Sequence, residues 1–290
     1  MNKQETLEAA IGRLSDGMTV GIGGWATRRK PMALIRAIAR SDLKDLTLVS
    51  FGGPDVGLLA AAGKLRKLVF AFVSLDQYPL DPHFRAAREN GLPVFELDEG
   101  LLHWGLRAAA MKLPFLPSRV GVGTDIIRQE GFATIKSPFA DGETLVAMPA
   151  IPLDAALLHV HRADVRGNTV TLSPDPFFDE LMARAARTVI VSSERIVSTA
   201  ELDIGAQGPR NLFERALVTS VVEAPYGAHP TSAAPDYPLD LEQLKIYVDA
   251  AASPEAWTQF RTTYVDVNPE AYLAAVGGAA RVSALPAVVY

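Results

Sequence analysis

At 290 residues, 49% hydrophobic and 21% charged, the chain has ordinary globular composition, enough for one large domain or two small ones. A net charge of −5 without a long run of like charges argues against a nucleic-acid surface. The absence of cysteine excludes disulfides, a thiolate nucleophile and a cysteine-based zinc site.

The N-terminus, Met1-Asn2-Lys3-Gln4-Glu5, is too charged for the apolar region of a secretory signal. No stretch approaches the ~18 consecutive apolar residues of a spanning helix. A cytoplasmic protein with no membrane partner is expected.

Leu7, Ala10, Ile11 and Leu14 recur at helical spacing, and Asp16-Gly17 closes that helix. Residues 19–23 read as a short strand, and Pro31 opens a helix through Ala39. Strands follow at 46–51 and 67–73, helices at 56–62 and 84–90. Such alternation with short connections predicts an α/β fold, a mostly parallel open sheet with helices on both faces. Residues 117–175 are punctuated by Gly and Pro; short strands at Val120, 144–148, 156–160 and 169–172 suggest an antiparallel extension or flap. Helix 178–186 leads to strand 188–192, and strand 217–222 precedes a proline-rich stretch, 225–238. Helices at 240–252, 254–264 and 269–275, with an apolar tail at 282–290, form a C-terminal wrap on a core of about 5–240. The simplest account is one domain over 1–290.

The most informative stretch is residues 94–107, where a strand-like approach ends in Asp98-Glu99-Gly100 and a helical pattern begins. Ligands gather at the carboxyl ends of strands in open α/β sheets, so Glu99 is the first candidate for chemistry. The competing reading is that Asp98 and Glu99 only cap the helix and complement its dipole. His103, four residues on, shares the helical side of Glu99 and would either orient it or make a capped-turn contact.

Gly21-Ile22-Gly23-Gly24-Trp25-Ala26 matches the loose dinucleotide pattern. The second strand, however, ends at Gly52-Gly53 without the acidic residue a ribose needs. Arg28-Arg29-Lys30 follows the glycines as either an anion clamp or a solvated patch. His159 and His161 share a strand face with no third ligand at metal-site spacing, which favours ordinary polar positions. Neither a serine-hydrolase elbow nor a P-loop occurs.

Residues 223–238, as a bland reading, pack the C-terminal helices onto the core. They also carry Gly227-Ala228-His229-Pro230-Thr231-Ser232 and Pro235-Asp236-Tyr237. With Gly17–Gly24, Glu99-Gly100, Leu113-Pro114 and Gly121–Thr124, these motifs resemble family I CoA-transferase subunits, in the family's order, over roughly residues 5–240. Gly24-Trp25-Ala26-Thr27-Arg28-Arg29-Lys30-Pro31-Met32, Phe51–Leu59, Phe72–Asp76 and Leu97–Gly100 are most similar to the alpha subunits of steroid ring-opening CoA hydrolases.

That resemblance implies an alpha-2/beta-2 heterotetramer whose active site lies at the alpha–beta junction. In the transferases the nucleophilic glutamate is on the beta side. In the ring-opening enzymes an alpha-side glutamate is implicated, and by position it maps to Glu99. Glu99 would act as base and then acid in opening a cyclic β-oxo acyl-CoA. The Gly23 and Gly24 amides would stabilise an oxyanion. Trp25, Gly52 and Gly53 would line the substrate or CoA site, and Arg28, Arg29, Lys30 or Arg119 would hold a carboxylate or phosphates. No metal or organic cofactor is implied; coenzyme A is part of the substrate. Two alternatives stay open: a true CoA-transferase alpha subunit, and a non-catalytic acyl-CoA-binding scaffold.

Overall fold

The structure, a computed structural model, describes residues 2–139, 142–202 and 210–288. The last two residues of the predicted apolar tail lie outside this range.

The chain runs β1 (Gln4–Glu5), α1 (Leu7–Ile11), β2 (Thr19–Ile22), α2 (Met32–Arg40), β3 (Leu46–Gly52), α3 (Pro54–Ala61) and β4 (Leu65–Val73). It continues through α4 (Pro82–Glu89), β5 (Val94–Glu96), α5 (Glu99–Ala110), and β6 (Phe115–Ser118), β7 (Ala133–Lys136) and β8 (Thr144–Pro149). Next come β9 (Leu153–Ala163), β10 (Thr169–Val170), α6 (Asp179–Ala185), β11 (Ala186–Ile196), α7 (Thr199–Leu202) and β12 (Ser220–Glu223). Four helices close it: α8 (Leu241–Asp249), α9 (Pro254–Phe260), α10 (Pro269–Ala275) and α11 (Gly278–Ser283).

The main sheet has the order β1-β12-β11-β9-β2-β3-β4-β5 with every neighbouring pair parallel, and β10 adds to β9 antiparallel. Alternate side chains of the strands enter two apolar layers. Ile22, Leu48 and Leu157 meet α1, α2, α3 and the C-terminal helices; Val49, Leu158 and Val160 meet α5 and α6. Burial on both faces explains why β3 reads as a continuous apolar run rather than an alternating one.

The antiparallel extension is a separate sheet, β6-β8-β7, laid against α5. Two corrections follow. Residues 156–160 belong to β9, which lies between β2 and β11 in the centre of the parallel sheet. A short apolar run between Pro152 and Asp164 carries no signal separating a central strand from an edge one. Val120 sits in the turn after β6 rather than in a strand.

Because β2, β3, β4 and β5 are parallel, their carboxyl ends converge. The turn after β2, Gly52-Gly53 after β3, Asp76 after β4 and Glu99 after β5 all lie along one rim.

Candidate active site at the carboxyl rim of the sheet

β5 stops at Glu96, so Glu99 is not the last residue of the strand but the first residue of α5. Between them Leu97 is buried, and Asp98 is the N-cap, its side chain accepting from the Leu101 N–H at 2.6 Å. The two acids thus divide the readings that the sequence left open. Asp98 takes the capping role, while Glu99 projects exposed into a cleft with its Oε1 accepting from the Trp25 indole N–H at 3.0 Å.

That cleft has a volume of about 440 Å³. Trp25 and Arg28 form one wall, Glu99 another, and Asp175, Pro176, Phe177 and Phe178 the third. Phe178 stacks on Phe51 with ring centres 4.0 Å apart and touches His103 at 5.1 Å. An adjoining cavity of about 480 Å³ lies beyond the first turn of α5, lined by Gly100, His103, Trp104, Arg119, Val120 and Glu143 among others.

The three basic residues after the glycines do different things. Arg28 borders the cleft, its guanidinium 4.9 Å from the Trp25 ring centre and 3.3 Å from Asp76 Oδ2, which also accepts from the Thr27 hydroxyl. Arg29 and Lys30 are buried, which corrects the expectation that either reaches a substrate anion from this chain's surface. Arg29 pairs with Asp179 and donates to the His159 carbonyl at 2.8 Å. Lys30 Nζ lies 2.8 Å from Ser50 Oγ and 3.3 Å from Asp55, with burial lowering its proton affinity against the pull of Asp55. The cause is the tight turn: Ala26 and Arg29 have φ of 49° and 51°, so neighbouring side chains leave in different directions.

The glycines also differ from expectation. The Gly23 N–H donates to the Leu157 carbonyl at 2.9 Å, Gly24 N–H to Asp179 Oδ1 at 3.0 Å, and Gly53 N–H to Asp55 Oδ1 at 2.8 Å. These amides are engaged inside the protein and do not form an oxyanion hole. What the glycines permit is close approach of backbone: a Cβ on Gly53 would lie 1.9 Å from the Ala26 carbonyl oxygen. Gly52, at the end of β3, is likewise packed against Val56 and Phe72.

Arg119 is exposed and forms a two-pronged pair with Glu143 at 2.7 and 2.8 Å, facing the adjoining cavity rather than the cleft of Glu99. His103 Nε2 lies 3.3 Å from Arg107 Nη2, and partial burial with the Arg107 charge lowers its pKa, so the neutral ring accepts there. His159 bridges Ser192 at 2.8 Å and Glu194 at 2.7 Å. His161 accepts from the Leu172 N–H and so donates from Nε2 to the Ala234 carbonyl at 2.9 Å; burial, with Arg29 and His159 nearby, pushes it down to about 4. His161 directly, and His159 through Glu194, hold the 223–238 segment in place, and that segment in turn seats the C-terminal helices through His229, which bonds Tyr272 and Asp240. Among the described residues no cluster of three or more His, Asp or Glu could hold a metal ion. None of their helices is long and apolar enough to cross a membrane.

Sequence reasoning named Asp76 only as the end of the Phe72–Asp76 motif, without a site role, and missed Asp175 and Phe177, which lie in a stretch without a motif; only the fold brings the three to the rim.

Residues 4–223 match the family model described as Coenzyme A transferase. The chain is 48% identical over 283 residues to the cholesterol ring-cleaving hydrolase IpdA subunit of Rhodococcus jostii, covering 95% of this chain and 96% of that one. Its fold is similar to the crystal structure of glutaconate coenzyme A-transferase from Acidaminococcus fermentans, with TM-score 0.91, 28% identity, and 99% and 96% of the two chains covered. It is also similar to the decarboxylase AibA/AibB, with TM-score 0.79, 33% identity, and 90% and 98% covered. The chain belongs to the coenzyme A transferase family.

Proposed function

We propose that this chain is the alpha subunit of a hydrolase that opens a ring of a steroid-derived cyclic β-oxo acyl-CoA, working with a beta subunit as an alpha-2/beta-2 assembly in the cytoplasm. The observation that carries the reading is Glu99 itself: an exposed carboxylate at the start of a helix, tethered by one indole donor, on an aromatic-walled cleft at the sheet rim. The 48% identity to a ring-cleaving subunit supports the same reaction class.

Glu99 takes a proton from water, whose oxygen adds to the ring ketone. The bond between that carbon and the carbon α to the thioester then breaks. The electron pair remains on the α carbon as a thioester enolate, and Glu99 returns the proton there. One water is consumed, giving an opened chain that carries a carboxylic acid, which releases its proton to solvent, at the former ketone and a new C–H bond at the α carbon, with the thioester intact. A single carboxylate thus serves as base and then acid. Arg28 beside the cleft supplies positive charge for the developing anion, and the Phe177–Phe178 wall supplies apolar surface for a ring. Arg119 faces the adjoining cavity, where a substrate carboxylate would meet it. The reaction needs no metal or organic cofactor.

The overall likeness to a glutaconate CoA-transferase favours a second reading, a transferase alpha subunit. Mass spectrometry of CoA species from the chain co-expressed with its beta subunit separates the two. With cyclic β-oxo acyl-CoA in heavy-oxygen water and no added acid, an opened acyl-CoA carrying one heavy oxygen is expected. Glu99→Gln should lower kcat by about 10²–10⁴-fold. Products formed only when a free acid is added, with CoA moved onto it, would establish the transferase. Undiminished turnover in Glu99→Ala would leave this chain a scaffold.

A further inference from the structure

The turn carrying Trp25 is held far more firmly than a substrate-lining loop requires. Trp25 and Arg28 exchange both backbone hydrogen bonds at 2.9 Å, Ala26 N–H is tied to the Phe51 carbonyl, and Arg29 N–H to the Ser232 carbonyl. Two non-glycine residues, Ala26 and Arg29, hold positive φ there, a strain that persists only where the surroundings over-determine it. The indole is then fixed from two sides. Phe72 meets it edge-on at 5.0 Å, and Arg28 lies over its ring, itself held by Asp76.

All this rigidity ends at one atom, the Nε1–H that donates to Glu99 Oε1. An indole N–H can only donate. It therefore fixes one of the two carboxylate oxygens, Oε1.

We propose that Trp25 is the positioning residue for Glu99: it selects the orientation of the carboxylate that begins the reaction, while the Asp76–Arg28 pair braces the ring. The inference rests on the catalytic role proposed for Glu99, and its test is separable from that role. The charged groups around the pair are Arg28 over the indole, Asp76 behind it, Asp175 across the cleft, Asp98 adjacent in sequence and His103 one turn along α5.

Trp25 can be isolated as a fluorophore because the chain has three tryptophans. In full-length W104F/W257F protein, the emission of Trp25 should change across an acid titration, and adding E99Q should abolish that change. This measurement requires no turnover, so it stands even if the ring-opening chemistry fails. An acid-dependent signal identical with and without Glu99, or none at all, would overturn the inference. In the assembled enzyme, W25F keeps the aromatic packing and removes only the donor. It should lower kcat about tenfold and leave KM within about twofold. A raised KM at unchanged kcat would instead make Trp25 a substrate contact and overturn the proposal.

Discussion

The cleft and the layer beneath it use the same side chains in opposite ways. Glu99 is exposed and, among the described residues, has one donor, the Trp25 indole. A few residues inward, Asp179 and Asp55 are fully buried and saturated: Asp179 takes the Gly24 N–H and Arg29, and Asp55 takes Ser50, Lys30 and the Gly53 N–H. Glu194 is similar, accepting from the Tyr226 and Gly227 amides, Tyr237 and His159. A buried charge is tolerated only when its hydrogen-bonding capacity is met, and once met it has nothing left with which to react. The carboxylate suited to chemistry is the one left with accessible lone pairs. The saturated ones hold the loops that aim it.

The sharpest break of that contrast is at Asp179. Asp179→Ala should cost about 3–5 kcal/mol in equilibrium unfolding, because it strands the buried Arg29 charge and releases the Gly24 amide. Glu99→Gln, by contrast, should leave the unfolding midpoint within experimental error while removing activity.

Asp81 tests the buried layer through pH. It is buried, with no cationic partner among the described residues, and burial pushes its pKa up to about 7, although Tyr247 and the Phe84 and His83 amides donate to it. Between the ordinary carboxylate value of 3.8 and about 7 the folded protein holds a proton that the unfolded chain has lost. Folding therefore takes up a proton there, and this contribution to stability falls as pH rises through that window. Denaturant titrations at pH 5 and pH 8 should show a smaller loss in Asp81→Asn than in wild type. An equal loss would place the pH dependence elsewhere.

The smallest effect belongs to the Arg119–Glu143 pair, whose arginine side chain is 77% exposed. Arg119→Ala should change stability by no more than ~1 kcal/mol. A larger effect of the same variant on KM than on Tm would mark Arg119 as a substrate contact.

Much of this was legible in the sequence. The strand–helix alternation through residue 110 gave the parallel sheet, and Asp98-Glu99-Gly100 marked the right turn because a cap and a helical pattern are local signals. The boundary moved by three residues, since Leu97 and Asp98 complete the turn before the helix. Arg28-Arg29-Lys30 was read correctly as sitting at the rim and incorrectly as one cluster. Arg29's partner, Asp179, is 150 residues away, and no local pattern announces such a pair. The same holds for the Gly23 and Gly24 amides, whose acceptors lie on β9 and α6.

The sequence by itself determined the periodicities, the caps, the lack of cysteine chemistry and the family motifs, all set by residues close along the chain. The tertiary structure alone decided which charges are buried, which amides are spent, and that Trp25 meets Glu99 across 74 positions. Those depend on which strand ends are brought side by side. The parallel order β9-β2-β3-β4-β5 settles that through long-range packing, which no short window of sequence contains.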